Sequence, residues 1–521
     1  MPRHMRQTRV AQKQTEQIYS NHLIIVSNRG PVEYIVSQNK TLKHRRGAGG
    51  VVTALLGAVK QREVTWVALA MTEGDRLALK QAHHGLLPSP LSDQPLQLRY
   101  IALPKAVYRK YYDIISNQIL WFLQHYLLDR YEVSLSAEQM QDAWEHGYCQ
   151  ANQALADAVC AELEREQEPT VVLLQDYHLY LVPAFIRQRP CQQSLILQQF
   201  IHIPWPEVRY WQTSLPTNMT QAIYTGLLGN DILGFQTRRD AQNFLESVPA
   251  VLADVEVDRD KGIILYSHHC TLVRDYPISI SVSEERRIVQ SAAGRRAAQQ
   301  IQPLLGEQTI MRVDRIEPTK NIVQGFQAYE QLLEQHPELQ KKVRFLAFLV
   351  PSRQSLPLYQ RYRNEVLTAI ADINQKFARD GWTPISAFVQ NDRTQALVAL
   401  RFYDVLLVNS LIDGMNLVAK EGPIVNQRNG VLVLSRTSGA FQQLESASLP
   451  ISPADTLETA EALFQALTLS PEERRHKADL ARQEVEHNDL QTWIAQQVHD
   501  LNALIEAQED GSADKRQDQA P

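Results

Sequence analysis

Short apolar runs alternate with helical segments along the second half of the chain, and this alternation constrains the fold more than any other feature. The runs are rich in Val, Leu and Ile, and each stops abruptly at a polar loop. Strands that are apolar on both faces belong to parallel sheets, whose crossover helices cover both sides. The predicted strands are 309–313, 343–350, 385–389, 405–408 and 431–434. The second half is therefore predicted to be an α/β domain with a parallel sheet.

The first half of the chain repeats this pattern. Its predicted strands are 23–26, 64–69, 171–174, 195–201 and 231–235. The pattern begins again near residue 280, which predicts two domains, and ligands of such domains bind beyond the carboxyl ends of the strands. The predicted organisation is a flexible leader at 1–20, domains at 21–280 and 281–485, a C-terminal helix at 486–505 that can return to the first domain, and a disordered tail at 506–521.

Composition excludes several classes of protein. The 521 residues suffice for two full cores, and a net charge of −5 argues against a general nucleic-acid binder. We find no apolar run of about 18 residues that would span a membrane, and the basic start lacks the apolar core of a secretory signal. Four cysteines without C-x-x-C spacing indicate a reduced, cytoplasmic protein. Asp258-Arg259-Asp260 has a metal-binding D-x-D form, but its place between two strand-like runs predicts a hairpin turn. We therefore predict neither a metal nor a cofactor.

The corner after the strand at 405–408 combines three groups that bind ligands. Asp413 can accept hydrogen bonds from hydroxyl groups, and Gly414 lets backbone amides approach a ligand at the start of a helix, where anions bind. Glu421 lies about 12 Å further along that helix. One element can thus hold a sugar, a phosphate and a ribose. The alternative is a plain strand–loop–helix corner with a capping aspartate.

Phosphate-binding candidates follow other strands. Arg29 comes directly after the first strand, and Arg353 follows a strand of the second half. Arg315 and Lys320 lie in one loop, where a guanidinium and an ammonium can clamp a diphosphate. The glycines at 47–50 precede a helix, as in a phosphate cradle, but match neither dinucleotide nor P-loop spacing. The alternatives are solvated charged loops and, for Arg29, a surface arginine in a turn.

Further polar and aromatic side chains gather in the first half. Asp176 and His178 follow one strand, and His202 follows the next. A lone residue of this kind is more often structural, but several in an alternating chain favour a cleft. Tyr112 and Trp121 lie in a predicted helix from 108 to 128, where aromatic residues usually pack into the core.

Ten motifs, taken together and in order, resemble the trehalose-6-phosphate synthase family, glycosyltransferase family 20. They extend from about Leu23 to about Leu501 and are SNRGP, GAGG, YYDIISNQILW, QDYHL, HIPWP, LGFQT, DRIEPTKN, PSR, GWTP and DGMNLVAKE. The resemblance implies a GT-B fold, in which two Rossmann-like domains with parallel sheets face each other across a cleft. It also implies retaining, metal-independent transfer of a glycosyl unit from a nucleotide sugar to a phosphorylated acceptor.

The resemblance assigns roles to matching residues. Arg315 and Lys320 would bind the donor diphosphate, Glu421 its ribose and Asp413 the hydroxyls of its sugar. The backbone amides of Gly414, Met415, Asn416 and Leu417 would line the same pocket. Gly50 would belong to a loop that closes over the donor. The acceptor and its phosphate would be bound by Arg29, Tyr112, Trp121, Asp176 and Arg353. The implied catalytic residues are Asp176, His202, Arg315 and Lys320. The domain at 21–280 would bind the acceptor, and the domain at 281–485 would bind the nucleotide sugar.

The sequence departs from the family pattern at three places. Residues 317–321 read E-P-T-K-N where the family has D-Y-x-K-G, Ile412 replaces an arginine, and Gly422 replaces a tyrosine. The first departure is similar to the validoxylamine 7′-phosphate synthase branch, which joins two cyclitols. We expect glucosyl transfer from UDP-, GDP- or ADP-glucose to an acceptor such as glucose 6-phosphate. The alternatives are a pseudo-glycosyltransferase, a glucosylglycerol-phosphate-type synthase or an inactive regulatory homologue, and a homo-oligomer is possible in each case.

Overall fold

The parallel strands predicted from the sequence are present in the structure, a computed structural model. It describes residues 18, 22–37, 39, 41–46, 63–91, 96–130, 135–165, 169–190 and 194–517, with side chains through 508. The chain divides into two compact units, the first formed by Met1–Tyr276 with Trp493–Pro521 and the second by Pro277–Thr492. This division falls after residue 276, whereas the sequence pattern places it after residue 280.

A ten-stranded sheet forms the centre of the first unit. The strands of this unit are β1 His22–Ser27, β2 Val32–Val36, β3 Leu42–Arg46, β4 Glu63–Leu69, β5 Leu87–Pro88, β6 Leu96–Ile101, β7 Thr170–Gln175, β8 Leu195–Phe200, β9 Ile232–Phe235, β10 Val255–Asp258, β11 Ile263–Tyr266 and β12 His269–Asp275. Their order in the sheet is β10-β11-β12-β9-β8-β7-β1-β4-β6-β5, and β2 and β3 pair separately. The strands from β12 to β6 are parallel, so β1, β7, β8 and β9 end at one edge.

The D-x-D sequence lies in a hairpin, as predicted. Strands β10 and β11 pair in antiparallel register, with Asp258 opposite Ile263. The amide of Lys261 donates to the Asp258 carboxylate at 3.0 Å. This carboxylate therefore stabilises the turn.

Helices cover both faces of this sheet. Their bounds are Glu73–Leu79, Lys105–Tyr108, Arg109–Leu120, Trp121–Gln124, Ala137–Ala143, Trp144–Cys149, Gln150–Leu163, Tyr177–Leu179, Val182–Arg187, Val208–Ser214, Thr217–Leu227, Arg238–Val251 and Leu490–Gln517. The segments Arg109–Leu120 and Trp144–Cys149 are π-helical, a form that sequence patterns do not predict and that is common at functional sites.

The second unit contains a six-stranded sheet in which every pair is parallel. Its strands are β13 Gln308–Arg315, β14 Val343–Val350, β15 Ile385–Val389, β16 Val405–Val408, β17 Val431–Ser435 and β18 Ser448–Ile451, in the order β15-β14-β13-β16-β17-β18. The five predicted strands are confirmed. Strand β18 was not predicted, because this edge strand is short and contains a proline.

The helices of the second unit bury this sheet from both sides. Their bounds are Val282–Gln290, Ala292–Ile301, Gln302–Leu304, Pro318–Lys320, Ile322–Gln335, Pro337–Leu339, Pro357–Phe377, Arg393–Ala399, Val418–Val425, Phe441–Leu444, Thr456–Thr468 and Pro471–His487. Phe326, Val366 and Leu463, from three of these helices, pack with Phe345 of β14 in one apolar core. This packing fixes the loops at the carboxyl ends of the strands.

The C-terminal helix differs from its predicted length. It spans Leu490–Gln517, whereas the sequence predicts a disordered tail from residue 506. Glu506, Ala507 and Gln508 favour helices, and extending an existing helix needs no new nucleation. Among the helices that the structure describes, none is long and apolar enough to cross a membrane.

Candidate active site

Neighbouring strands of the second unit bring the predicted phosphate-binding residues together. Arg315 is the last residue of β13, and Lys320 ends the short helix that follows it. Arg353 follows β14, and Asp413 lies in the loop after β16. Since β14, β13 and β16 are adjacent and parallel, these loops meet at one edge of the sheet. The grouping of Arg315, Lys320 and Asp413 arises from this topology.

Lys320 and Asp413 form an ion pair at this edge. The Lys320 ammonium donates to Oδ2 of Asp413, and the two side chains are only 10% and 15% exposed. Ser410 Oγ and Asn416 Nδ2 lie 3.2 and 3.1 Å from the same oxygen. The carboxylate is therefore held in one orientation before any ligand arrives.

Arg315 and Arg353 share a buried carboxylate, that of Glu317. Its Oε1 lies 3.0 Å from Nη1 of Arg353 and 3.1 Å from Nη1 of Arg315, and it accepts a 2.6 Å hydrogen bond from Ser352. Burial raises the pKa of Glu317, but the two arginine charges and the serine lower it to about 2. Glu317 is thus a permanent counter-ion for both arginines. In the sequence, Glu317 is visible only as a departure from the family pattern.

A second buried pair supports the turn that carries Lys320. Arg312 is fully buried, and its Nη2 donates to Asp314 at 2.8 Å and to the carbonyl of Lys320 at 3.0 Å. Its Nη1 donates to the carbonyl of Ile322 at 3.3 Å. A Cβ on Gly325 would lie 2.5 Å from this nitrogen, so a larger residue here would displace the guanidinium. The signal missed in the sequence was an Arg and an Asp inside an apolar strand.

The loop 414–417 leads from this pair into the helix Val418–Val425. A Cβ on Gly439 would lie 1.8 Å from the carbonyl oxygen of Gly414, so the neighbouring loop approaches as only glycine permits. The carbonyl of Met415 accepts the amide of Ala440 at 2.8 Å. The first amides of a helix lack intrahelical acceptors and are suited to an anion.

Glu421, the predicted ribose ligand, lies on that helix beside a second acid. Its Oε1 is 3.6 Å from Nη2 of Arg393, which also donates to both oxygens of Glu285 at 2.6 and 2.8 Å. Burial raises the pKa of Glu421 to about 7, Glu285 adds to this rise, and Arg393 opposes it. Glu421 therefore changes charge near neutral pH.

In the first unit, residues after adjacent strands also converge. Arg29 follows β1, Asp176 follows β7, and His202 follows β8. Asp176 has a φ of 77°, a strained conformation for a residue other than glycine, and its carboxylate accepts the amide of His202 at 3.2 Å. Strain of this kind is typical of functional sites, so Asp176 and His202 remain candidates.

His202 is held as a neutral imidazole. Its Nε2 lies 3.1 Å from Oε1 of Gln175, and its Nδ1 lies 3.4 Å from Nε2 of Gln236. Burial lowers the pKa of His202 to about 3. Because a carboxamide oxygen only accepts, Nε2 carries the proton and Nδ1 accepts. This arrangement suits hydrogen bonding rather than proton transfer.

We expect replacement of His202 by Gln to make the protein less sensitive to acid. The ordinary pKa of 6.5 falls to about 3 on folding, so the unfolded chain binds a proton that the folded chain excludes. This contribution to stability is complete above about pH 6.5 and is lost as the pH falls toward about 3. Melting temperatures of His202→Gln should decline less steeply than those of the parent below about pH 6.5. Equal slopes would contradict the neutral assignment.

Aromatic rings surround the predicted acceptor residues. Tyr112 stacks between Tyr108 and His178, with centroid distances of 5.2 and 5.8 Å. Burial and Tyr112 raise the pKa of Tyr108, and the charge of Arg29 opposes that rise, which places Arg29 near this stack. Trp121 is only 6% exposed, so most of its surface packs within the core.

The predicted donor loop residue Gly50 lies outside the described residues. Within the described residues, no group of three or more His, Cys, Asp or Glu side chains is arranged to hold a metal ion.

Comparison with known proteins gives a consistent result. Residues 21–503 match the profile of Glycosyltransferase family 20. The validamine 7-phosphate valienyltransferase of Streptomyces hygroscopicus is 29% identical over 88% of this chain and 88% of its own length. The trehalose-6-phosphate synthase of Klebsiella pneumoniae is 32% identical over 93% and 96%. The α,α-trehalose-phosphate synthase (UDP-forming) of Burkholderia xenovorans, solved with glucose-6-phosphate, has a TM-score of 0.76, 27% identity, and coverage of 92% and 99%. The predicted GT-B fold is confirmed.

Proposed function

Because the chain belongs to glycosyltransferase family 20, we propose that it transfers a glucosyl unit from UDP-glucose to glucose 6-phosphate, with retention, and forms a phosphorylated disaccharide. The main support is the cluster of Arg315, Lys320 and Asp413. It places two cations at one sheet edge, together with a carboxylate that can accept hydrogen bonds from sugar hydroxyls. The UDP-forming relative solved with glucose-6-phosphate supports the choice of donor and acceptor.

In this proposal the second unit stabilises the leaving group. Negative charge builds on the diphosphate as the anomeric C–O bond breaks, and fixed cations stabilise that charge more than they stabilise the bound donor. Arg315, Lys320 and the amides of 414–417 would provide this stabilisation. The acceptor hydroxyl would attack from the same face and pass its proton to the departing phosphate.

The ion pair of Lys320 and Asp413 suits both the binding of the diphosphate and the binding of the donor sugar. As the diphosphate binds, Lys320 would turn its charge toward it, and Ser410 and Asn416 would keep Asp413 in place. The Asp413 carboxylate would then accept hydrogen bonds from the donor sugar. The ion pair thus brings both groups to the sheet edge at which we propose that the donor binds.

In the first unit we propose Arg29, Tyr112 and Asp176 as acceptor-binding residues, with Trp121 supporting them by packing. In the second unit we propose Arg353 as a phosphate-binding residue. The phosphate would bind to guanidinium groups, which suit phosphate geometry. His202 would hydrogen-bond the donor sugar as a neutral imidazole, because its low pKa leaves it uncharged at neutral pH. The scattered cysteines support a cytoplasmic location.

A second candidate is transfer of a cyclitol to an amino-cyclitol phosphate. It is favoured by the E-P-T-K-N sequence at 317–321 and by the similarity to the valienyltransferase of Streptomyces. The diphosphate would leave in the same way, but an amine would attack instead of a hydroxyl.

We expect purified protein to release UDP from UDP-glucose only when glucose 6-phosphate is present. Nucleotide release would be followed in a coupled assay and the product identified by mass spectrometry, with GDP- and ADP-glucose as alternative donors. Release with validamine 7-phosphate and a nucleotide-linked cyclitol, and not with glucose 6-phosphate, would select the second candidate. Absence of release with every pair would contradict both.

A further inference from the structure

Three helices of the second unit bring two carboxylates to one guanidinium. Glu285 lies on Val282–Gln290, Arg393 begins Arg393–Ala399, and Glu421 lies on Val418–Val425. Arg393 donates to both oxygens of Glu285 and lies 3.6 Å from Glu421. The carboxylates of Glu285 and Glu421 are 5% and 18% exposed, and Arg393 is 54% exposed. One cation therefore serves two largely buried acids.

This sharing limits the charge of Glu421. Two buried acids around one cation are not easily ionised together, because each disfavours the negative charge of the other. Glu285 holds the guanidinium by two short hydrogen bonds, whereas Glu421 has only the longer contact. Glu421 is therefore the acid that more readily keeps its proton.

Other charged groups around Glu421 are engaged elsewhere. Glu284, beside Glu285, accepts both hydrogen bonds of Arg287 on its own helix. Lys420 donates to the carbonyl of Ile278 and to Gln443, and its charged neighbour is Glu484. Glu284 raises the pKa of Glu285 and of Arg393, but it is the weakest of the charged neighbours that act on them. The protonation of Glu421 is therefore governed mainly by Glu285 and Arg393.

We propose that Glu285 and Arg393 are positioning residues that set the fraction of Glu421 ionised, and thereby the affinity of this site for the ribose of a nucleotide. This inference rests on the proposed function, in which Glu421 binds the ribose. An ionised carboxylate accepts hydrogen bonds from two neighbouring hydroxyls, whereas a protonated one gives up part of that capacity. Nucleotide affinity then increases with pH as Glu421 loses its proton.

The two positioning residues act in opposite directions. Removing the charge of Glu285 leaves Arg393 to Glu421 alone and favours the ionised form at lower pH. Removing the charge of Arg393 leaves two acids without a cation and delays ionisation to higher pH. If Glu285 and Arg393 only maintained the fold, their variants would not shift the pH of Glu421 ionisation in opposite directions from that of the parent protein.

The test uses UDP and 2′-deoxy-UDP as probes, with affinities measured by titration calorimetry from about pH 5.5 to about pH 8.5. The ratio of the two affinities isolates the ribose hydroxyl, because both probes carry the same diphosphate. In the parent protein the preference for UDP should fall by up to about tenfold per pH unit below about pH 7. Glu285→Gln should move this midpoint down, and Arg393→Gln should move it up.

Glu284→Gln is the matched control, because it makes the same change one residue earlier and should leave the midpoint nearly unchanged. Arg393→Lys keeps the positive charge, so its midpoint should lie much closer to that of the parent protein than the midpoint of Arg393→Gln does. Midpoints that stay fixed, or that move in the same direction in both variants, would overturn the inference while glycosyl transfer stands. A parent protein that binds none of UDP, GDP or ADP would overturn the proposed function and this inference with it.

Discussion

Replacing Lys320 by Ala is expected to lower kcat by about 100- to 1,000-fold. The ammonium is the buried cation closest to Asp413, and we assign it to the charge that develops on the leaving diphosphate. Its loss removes stabilisation that is greatest in the transition state, so kcat should fall more than the KM of the donor rises. Steady-state rates with both substrates near saturation would measure this directly.

The fold should survive this change. Ser410 and Asn416 still hold Asp413, so this carboxylate keeps hydrogen-bond donors after the ammonium is lost. Lys341→Ala is the matched control, because it also removes a lysine paired with an aspartate, Asp380, but at an exposed position. Lys341→Ala should leave kcat unchanged. Unchanged turnover in Lys320→Ala would remove Lys320 from the mechanism.

The fold was predictable where burial alone determines it. The runs at 343–350 and 405–408 are apolar on both faces, and they form β14 and β16 because only a covered parallel sheet buries them fully. The strand β18 and the π-helical turns carry no comparable periodicity. The C-terminal helix extends past residue 506 because its charged residues favour a helix as readily as a solvated tail.

The candidate site was predictable only in part, for a related reason. Lys320 and Asp413 are 93 residues apart, but both follow strands of one parallel sheet, so their meeting follows from topology. Glu285 and Arg393 are 108 residues apart and lie on helices, whose facing sides no sequence pattern identifies. Glu317 was visible only as a departure from a motif. The buried partners of the predicted residues were therefore missed more often than the residues themselves.

Three largely buried carboxylates of the second unit share one physical property. Glu317 neutralises Arg315 and Arg353, Asp413 neutralises Lys320, and Glu285 neutralises Arg393. Like-charged cations crowded at one sheet edge repel each other, and an internal carboxylate reduces that repulsion. An anionic ligand then competes with carboxylates that already fix the geometry of the cations.

The same logic predicts a large loss of stability in Arg312→Met. This change leaves the buried Asp314 without its cation and removes hydrogen bonds from the carbonyls of Lys320 and Ile322. Removing one partner of a buried ion pair costs about 3–5 kcal/mol. We expect a decrease of this size in the free energy of unfolding of the second unit, measured by urea denaturation. Arg436→Met, which breaks an exposed pair with Glu458, should cost less than about 1 kcal/mol.

A double variant separates stability from positioning. Arg312→Met combined with Asp314→Leu removes both charges, and replacing a whole buried ion pair by apolar residues is often neutral. Stability should therefore recover, whereas kcat should stay low, because the turn that carries Lys320 still lacks the hydrogen bonds from Arg312. Recovery of kcat together with stability would contradict a role for Arg312 in placing Lys320. It would also show that the turn keeps its shape without the guanidinium.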